Sequence, residues 1–516
     1  MVALVGIGPG DTGLLTVRAA QLIAQADLVV GEPWVTERVV HLMRQETIVA
    51  EADVLRREPQ LLIGAASSGQ LAVRLYAGDP LMFGNATAEA AALARARVPF
   101  EIVPGLSAAA AVPAYAGVPL TADATGDVRI VHAAEVSRMS PGPGTVVVLG
   151  AETGVIDIAK MLVAAGWPDT TPSSVTWNGT TTDQLTVVGT LGTIAADLKA
   201  AGISLLTANG PAVMVAGEGV GNQAMLSWFE TKPLFGWRVL VPRTKEQAAS
   251  VCDQLRAAGA VPEQVPTIAV EPPRTPQQME RAVRGLVTGR YQWVAFTSAN
   301  AVRAVREKFE EYGLDARAFA GVKVAAVGEQ TAMSLREFGI KPDLMPAGQQ
   351  SAEGLASDWP PYDDLLDPIN RVLLPRADIA TEGLVARLTE LGWEADDVTA
   401  YRTVRAAPPP APIREAIKGG GFDAVLFTSS STVRNLIGIA GKPHAVTVIA
   451  VIGPETARTA AEFGLRVDVI APRPSASALV EALASYGATL RETAIEAGEP
   501  VRKPSERRRG ARRRIR

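Results

Sequence analysis

The sequence predicts an α/β protein, with one α/β module in its N-terminal part followed by two similar α/β lobes built on parallel sheets. Two observations support this prediction. In the N-terminal part, short apolar segments run into glycine-rich turns and then into helix-like segments, as at residues 2–25. In the C-terminal part, a strand, turn and helix pattern occurs in three blocks that repeat in one order. A length of 516 residues allows roughly three domains of about 150 residues each.

The composition, 47% hydrophobic and 20% charged, is that of an ordinary globular protein. A net charge of −4 indicates no polyanionic partner, and we expect no nucleic-acid binding although residues 502–516 hold nine Lys or Arg. No export-signal pattern and no apolar run of about 20 residues are present, so we expect a cytoplasmic protein without a membrane segment. His41, His132 and His444 lie far apart in sequence, and we therefore predict no metal site.

Three glycine-containing loops follow apolar strands in the N-terminal module. They lie at residues 6–11, 77–84 and 104–107. Glycine lets a ligand approach the backbone closely, although a tight turn needs glycine as well. The first loop has Asp11 where the dinucleotide-binding fingerprint needs glycine, so we do not expect a dinucleotide site.

Together with the blocks at 113–121 and 178–191, these loops resemble, in their order, the tetrapyrrole methylase family and within it uroporphyrinogen-III C-methyltransferase. The resemblance implies a two-lobed α/β module that forms a homodimer. It also implies transfer of methyl groups from S-adenosylmethionine to pyrrole carbons. Carried over position by position, the methyl-donor pocket consists of Pro9, Ala77, Gly78, Asp79, Ser107, Ala108 and Leu149.

Several positions depart from the family pattern. Where the family has basic residues, this chain has Tyr76, residues 122–123 and Asn178. Where the family has a Tyr-Asp-Arg block, this chain has residues 31–33. One basic contact to a carboxylate contributes about 1.5–3 kcal/mol, so losing several weakens binding of a polycarboxylate substrate. Two interpretations of this module therefore stay open, an active C-methyltransferase and a degenerate, non-catalytic domain.

The C-terminal module contains an internal duplication. Residues 239–243 recur at 372–376, residues 295–298 recur at 426–429, and residues 327–332 recur at 452–457. Repeated strand and helix units predict parallel sheets, whose ligand sites lie at the carboxyl ends of the strands. The residues at these ends form the predicted substrate site: Arg243, Thr297, Ser298, Gly328, Arg376, Thr428, Ser429, Ser430 and Gly453. Ser and Thr at such points are often only helix caps, but their presence in both lobes favours a ligand with many carboxylates.

With the block at 400–403, these repeats resemble uroporphyrinogen-III synthase. The resemblance implies two lobes joined by a two-strand connector, with crossings near 267–272 and 399–405. It implies cyclisation of hydroxymethylbilane to uroporphyrinogen III with inversion of ring D, and no cofactor. Tyr401 matches the family's candidate proton donor, although a tyrosine on a connector strand is more often structural.

The predicted domains are a methylase-like domain at 1–225, a linker at 226–237, a synthase domain at 238–487 and a basic, disordered tail at 488–516. Lobe one of the synthase comprises 238–268 and 406–487, and lobe two comprises 271–400. Aromatic residues around Lys232 predict that the linker is ordered. The predicted function is consecutive synthesis and C-methylation of uroporphyrinogen III. The alternatives are a synthase with an inert methylase-like domain and a two-lobed sensor of a carboxylate ligand.

Overall fold

The computed structural model describes residues 1–52, 58–84, 86–121, 126–142, 144–203, 210–378 and 383–507. Positions 122–123 and the part of the predicted tail at 508–516 lie outside these residues. The chain divides into two compact units. Unit 1 comprises Met1–Arg238, Asp253–Val261 and Leu483–Lys503, and unit 2 comprises Val239–Cys252, Pro262–Ala482 and the described residues from 504 onward.

The first sheet of unit 1 is entirely parallel. Its strands are β1 (Val2–Gly6), β2 (Leu28–Gly31), β3 (Ile48–Glu51), β4 (Ala72–Tyr76) and β5 (Phe100–Val103), in the order β3-β2-β4-β1-β5. The helices between them are α1 (Val17–Gln25), α2 (Pro33–Val39), α3 (Glu58–Ser67) and α4 (Ala86–Arg95). Both β1 and β4 are buried along their whole length, as their continuous apolar runs predict for central parallel strands.

The second sheet of unit 1 is mixed. After α5 (Ala108–Ala116) come β6 (Val128–His132), β7 (Thr145–Leu149), α6 (Val155–Ala164), β8 (Pro172–Trp177), β9 (Leu185–Thr190), α7 (Ile194–Ala200), β10 (Ala212–Ala216) and α8 (Gln223–Leu226). The strand order is β6-β7-β10-β8-β9, and β6 is parallel to β7 while the other neighbours are antiparallel. Two sheets in one unit confirm the predicted two-lobed α/β fold.

The C-terminal half contains two further sheets. Its first elements are β11 (Arg238–Val241), α9 (Lys245–Ala257), β12 (Val261–Gln264), β13 (Ile268–Glu271), α10 (Pro276–Val287), β14 (Trp293–Phe296), α11 (Ala299–Glu311), β15 (Lys323–Ala326), α12 (Glu329–Glu337), α13 (Ala352–Asp358) and β16 (Arg371–Ala377). They continue with α14 (Gly383–Glu390), β17 (Glu394–Arg405), α15 (Ala411–Gly419), β18 (Ala424–Phe427), α16 (Ser430–Ala440), β19 (Val448–Val451), α17 (Pro454–Glu462), β20 (Val469–Ile470) and α18 (Ala476–Glu496).

The duplication appears directly in the strand orders, β12-β11-β18-β19-β20 and β13-β17-β16-β14-β15. The repeated blocks provide β11, β18 and β19 in one sheet and β16, β14 and β15 in the other, in the same relative order. These strands pair in parallel, which confirms the predicted parallel-sheet lobes. The strand β13 is antiparallel to β17, with Ile268 opposite Arg405 and Glu271 opposite Arg402.

Helices cover both faces of the second of these sheets. Val294 and Phe296 of β14 pack in one buried cluster with α10 and α11. Their neighbours Trp293 and Ala295 pack in another cluster with α13 and α14. Alternate residues of one strand thus serve two apolar cores, as expected for a strand buried on both faces.

The structure corrects the prediction of where disorder begins near the C terminus. Helix α18 continues to Glu496, well past residue 487. Gly487 lies so close to the carbonyl of Pro233 that a Cβ there would be 2.5 Å from it, and Arg491 donates to the carbonyl of Glu230 at 2.9 Å. In the junction segment (residues 226–237), Phe229, Leu234 and Trp237 are buried. Within the described ranges, no helix combines the length and apolar character needed to cross a bilayer.

Candidate functional sites

The loops after β1, β4 and β5 meet at one edge of the first sheet. Parallel pairing places Gly6 opposite Tyr76 and Val5 opposite Val103, so the carboxyl ends of the three strands are neighbours. Gly8 and Gly78 exchange backbone hydrogen bonds of 2.9 and 3.3 Å. The Asp79 carboxylate accepts the N–H groups of Leu81, Met82 and Gly105 at 2.9, 3.0 and 3.2 Å. The loop that holds the predicted donor-pocket residues Gly78 and Asp79 is therefore tied to both of the other loops.

Glycine is required where these loops touch. A Cβ on Gly105 would lie 2.1 Å from the carbonyl oxygen of Gly78, and a Cβ on Gly6 would lie 2.6 Å from the nitrogen of Gly105. Gly78 differs, because the atom nearest to its Cβ position is the carbonyl oxygen of Leu106 at 4.0 Å. Its φ of +69° is left-handed, which glycine adopts without strain. The backbone at Gly78 therefore presents an open face on which a ligand can lie.

The remaining predicted donor-pocket residues lie around α5 and β7. Ser107 caps α5, and its Oγ accepts the N–H of Ala109 at 3.2 Å. Ala108 and Leu149 pack against the same apolar cluster, which includes Val112 and Val147. Pro9 follows β1, and its carbonyl accepts a 2.8 Å hydrogen bond from Arg38. The binding roles of these residues stay predictions.

Two residues outside the first loop, Tyr115 and Thr180, hold it in place, and the sequence assigned neither of them a binding role. The Tyr115 phenol donates to Asp11 Oδ2 at 2.8 Å, and the N–H of Asp11 donates to Thr180 Oγ1 at 3.0 Å. Burial, together with the bond to Asp11, raises the pKa of the Tyr115 phenol well above its usual value, so the phenol stays protonated. These partners are 104 and 169 positions apart, and no local sequence pattern could have connected them.

In unit 2, a pocket of about 190 Å³ brings together three predicted substrate residues, Arg243, Thr428 and Ser429. Ser429 caps α16 in a capping box with Thr432. Thr432 lines the same pocket, together with Thr244, Thr267, Ser431 and Asn435. Hydroxyl groups at a helix N-terminus beside a guanidinium suit a carboxylate. The spacing of Ser429 and Thr432 was the available sequence signal for this capping arrangement.

The two duplicated arginines differ in their partners. Arg376 is 8% exposed and forms a bidentate ion pair with Asp397 of the neighbouring strand β17. Among the described residues, no carboxylate lies within ion-pair distance of Arg243. Burial lowers the pKa of the Arg243 guanidinium from its usual value, although it stays charged at physiological pH. Arg243 is thus the better placed of the two to bind an anionic ligand.

Tyr401 lies beside Ser298, and their side-chain oxygens are 3.0 Å apart. Ser298 also caps α11, where its Oγ accepts the N–H of Ala301 at 3.2 Å. Tyr401 lines a groove of about 410 Å³ with Asn300 and Arg303. In the described ranges, none of the residues that line this groove also lines the pocket at Arg243.

The other predicted substrate residues are more dispersed. Ser430 bonds to the carbonyl of Glu455 at 3.3 Å and to the hydroxyl of Thr459 at 2.9 Å, and so joins α16 to α17. Gly328 and Gly453 precede α12 and α17, and Thr297 is half-buried beside Ser298. Their roles in binding stay predictions.

Comparison with known proteins identifies two family models in this chain. Residues 1–195 match the model of the tetrapyrrole (corrin/porphyrin) methylases, and residues 249–481 match that of uroporphyrinogen-III synthase HemD. The porphyrin biosynthesis protein HemD of Ruminiclostridium josui is 31% identical over 510 residues, which cover 94% of this chain and 98% of that protein. Siroheme synthase 1 of Klebsiella pneumoniae is 37% identical over 246 residues, 44% of this chain and 51% of that protein, so the match spans about half of that relative.

Solved structures similar to the two parts are also known. A uroporphyrin-III-C-methyltransferase from Thermus thermophilus aligns with a TM-score of 0.38 at 25% identity, covering 44% of this chain and 96% of that one. A uroporphyrinogen III synthase from Thermus thermophilus aligns with a TM-score of 0.33 at 18% identity, covering 51% of this chain and 100% of that one.

Proposed function

This chain belongs to the family of the porphyrin biosynthesis protein HemD, with a tetrapyrrole methylase module followed by a uroporphyrinogen-III synthase module, and we propose that the modules catalyse consecutive reactions. The synthase closes hydroxymethylbilane to uroporphyrinogen III with inversion of ring D. The methylase then transfers methyl groups from S-adenosylmethionine to that product, towards precorrin-2. The observation that carries the proposal is that this chain matches both family models and also matches one relative over 98% of that relative's length.

Tyr401 supplies the proton for the first step of the synthase reaction. The terminal hydroxyl of hydroxymethylbilane leaves as water, which creates an electrophilic azafulvene that closes through a spiro intermediate. A phenol is a weak acid, and it donates to that hydroxyl only when it is held close to it. The phenol oxygen of Tyr401 lies 3.0 Å from the Ser298 hydroxyl, and this contact helps to hold the phenol in place. Most of the remaining rate enhancement comes from holding the flexible bilane in one folded conformation.

The pocket at Arg243 binds a carboxylate of the substrate. The Arg243 guanidinium, which has no carboxylate partner among the described residues, lies next to Thr428, Ser429 and the N-terminus of α16, and these groups supply positive charge and several hydrogen-bond donors. Arg376 would have to release Asp397 before it could do the same.

The loops of the first sheet fit an S-adenosylmethionine molecule, because the open backbone face at Gly78 leaves room that a side chain would fill. Pro9, Ala77, Gly78, Asp79, Ser107, Ala108 and Leu149 would hold the donor. When bound, it supplies the methyl group. The residues of this chain grip its polar part through backbone groups and exclude water from the sulfonium through the apolar cluster of Ala108 and Leu149.

Replacing Arg243 by alanine is expected to raise the KM for hydroxymethylbilane by about tenfold or more, because one charged hydrogen bond contributes about 1.5–3 kcal/mol. Steady-state kinetics of uroporphyrinogen III formation measure the effect. Arg306→Ala is the matched control, since Arg306 is half-exposed, pairs with Glu310 on its own helix, lies over the Phe338 ring and is not part of the Arg243 pocket. An Arg243→Ala protein with an unchanged KM would remove this pocket from the substrate site.

A coupled assay from hydroxymethylbilane, with and without S-adenosylmethionine, tests both halves of the proposal. We expect uroporphyrinogen III in both reactions and a methylated product only with the donor. Uroporphyrinogen III without any methylated product would favour a non-catalytic methylase-like module. Closure no faster than spontaneous formation of isomer I would contradict the synthase and favour a carboxylate sensor.

The homodimer formed through the methylase module and the cytoplasmic location are part of the same proposal. The dimer rests on the resemblance to the methylase family. Light scattering of the full chain tests it, and a mass equal to one 54.1 kDa chain at micromolar concentration would contradict it.

A further inference from the structure

The junction segment packs against the methylase module of unit 1 beside the residues that hold the first loop. The rings of Tyr115 and Phe229 are 4.7 Å apart, and those of Tyr115 and Trp228 are 5.1 Å apart, both edge to face. Trp228 donates its indole N–H to the carbonyl of Ala114 at 3.0 Å. The segment therefore fixes the ring whose phenol is bonded to Asp11.

A second path of hydrogen bonds leads from the junction segment to Asp11. Glu230 Oε1 accepts from Gln184 Nε2 at 2.9 Å and from the Thr186 hydroxyl at 2.6 Å. Gln184 is only 3% exposed, and its Oε1 accepts the N–H of Thr180 at 2.7 Å. The Thr180 hydroxyl then accepts the N–H of Asp11 at 3.0 Å. Each link is an oriented bond in a largely buried region, where such networks are most rigid.

The conformation of Thr180 depends on this support. Its φ of +69° is left-handed, which is strained for a β-branched residue and persists only when the surroundings enforce it. The first loop rests directly on it, because a Cβ on Gly10 would lie 2.6 Å from Thr181 and 2.8 Å from Thr180 Oγ1. If Thr180 relaxes, the backbone from Gly8 to Asp11 loses the surface that positions it.

We propose that Glu230 of the junction segment is a positioning residue of the methyl-donor loop, acting through Gln184 and Thr180, while Tyr115 holds Asp11 from the other side. This role rests on the proposed function, in which the loop at Pro9 contacts S-adenosylmethionine. The residue that performs it lies in the segment that continues into β11, the first strand of the second half of the chain. The junction segment is thus part of the donor site as well as a connection.

Calorimetric titration of the full chain with S-adenosylhomocysteine tests the proposal, together with steady-state methylation kinetics. We expect Glu230→Ala to raise the Kd for S-adenosylhomocysteine and the KM for S-adenosylmethionine by about tenfold each, with kcat nearly unchanged. A residue that acts through others is expected to change binding in this way. Glu230→Gln keeps the acceptor for Gln184 and is expected to restore most of the affinity. Thr231→Ala, a neighbour with an exposed hydroxyl bonded to Ser227, is the matched control and should match the unmodified chain.

Tyr115→Phe provides an independent test if Glu230→Ala does not fold, because it removes only the bond to Asp11 and keeps the ring packing. It is expected to raise the same Kd by about fivefold. Unchanged Kd values in Glu230→Ala, or in Tyr115→Phe when the first variant does not fold, would overturn the positioning role. An unmodified chain that binds no S-adenosylhomocysteine would refute the donor site itself, and the positioning role with it.

Discussion

Replacing Gly105 by alanine is expected to abolish methyl transfer and leave the formation of uroporphyrinogen III intact. The new Cβ would lie 2.1 Å from the carbonyl oxygen of Gly78 and 2.9 Å from the Cα of Gly6, and all these neighbours are backbone atoms. Backbone cannot swing aside as a flexible side chain can, so the three loops after β1, β4 and β5 must separate. Overpacking of this kind costs about 1–3 kcal/mol or more. The resulting displacement occurs in the proposed donor loops themselves.

Titration with S-adenosylhomocysteine and the two product assays measure this result. Gly64→Ala is the matched control, since in the described part of the chain no atom beyond its chain neighbours and its own helix backbone lies within 4 Å of its Cβ position. Gly64 lies within helix α3, where alanine is favoured over glycine by about 1 kcal/mol. Normal methylation by Gly105→Ala would show that the donor does not use these loops.

The second large effect is expected from Tyr401→Phe, which should lower the rate of uroporphyrinogen III formation by about 10²-fold or more. Removing the phenol removes the proposed proton donor, and general acid catalysis typically contributes about 10²–10⁴-fold. Spontaneous closure then competes, so the product should shift towards isomer I. Tyr401 is 7% exposed and packs in the core of its sheet, and phenylalanine keeps that packing.

Chromatography measures the ratio of the two isomers, and thermal unfolding measures the midpoint. Together they distinguish an effect of the substitution on catalysis from an effect on stability. Tyr291→Phe is the matched control, because Tyr291 is also buried in this core and its phenol donates to Asp396 at 2.5 Å. Loss of that bond should lower the unfolding midpoint without changing the ratio of isomers. An unchanged rate and ratio in Tyr401→Phe would remove Tyr401 from the chemistry.

The fold could be predicted because its signals are local and repeated. The blocks at 239–243 and 372–376 each predict a buried strand followed by a helix, and the structure shows β11 and β16 in corresponding places of their sheets. The end of α18 could not be predicted in this way. Its last turns are held by contacts with Pro233 and Glu230, more than 200 positions away, and composition alone suggested disorder there.

The candidate sites, too, could be predicted only in part from the sequence. The duplication predicted equal roles for Arg243 and Arg376, but the structure gives Arg376 an ion pair with Asp397 from β17, 21 positions further along the chain. The sequence brought attention to Ser298 and to Tyr401 separately, and only the structure shows their hydroxyl groups 3.0 Å apart.

The sequence by itself determined the α/β class, the two modules and the duplicated lobes. These follow from apolar periodicity, glycine turns and ordered motifs, all of which act over short stretches of chain. Only the tertiary structure decided which side chains meet, such as Asp11 with Tyr115 and Thr180, and Glu230 with Gln184. Such pairs depend on strand order and on the distance between buried atoms, and neither is written in any local pattern.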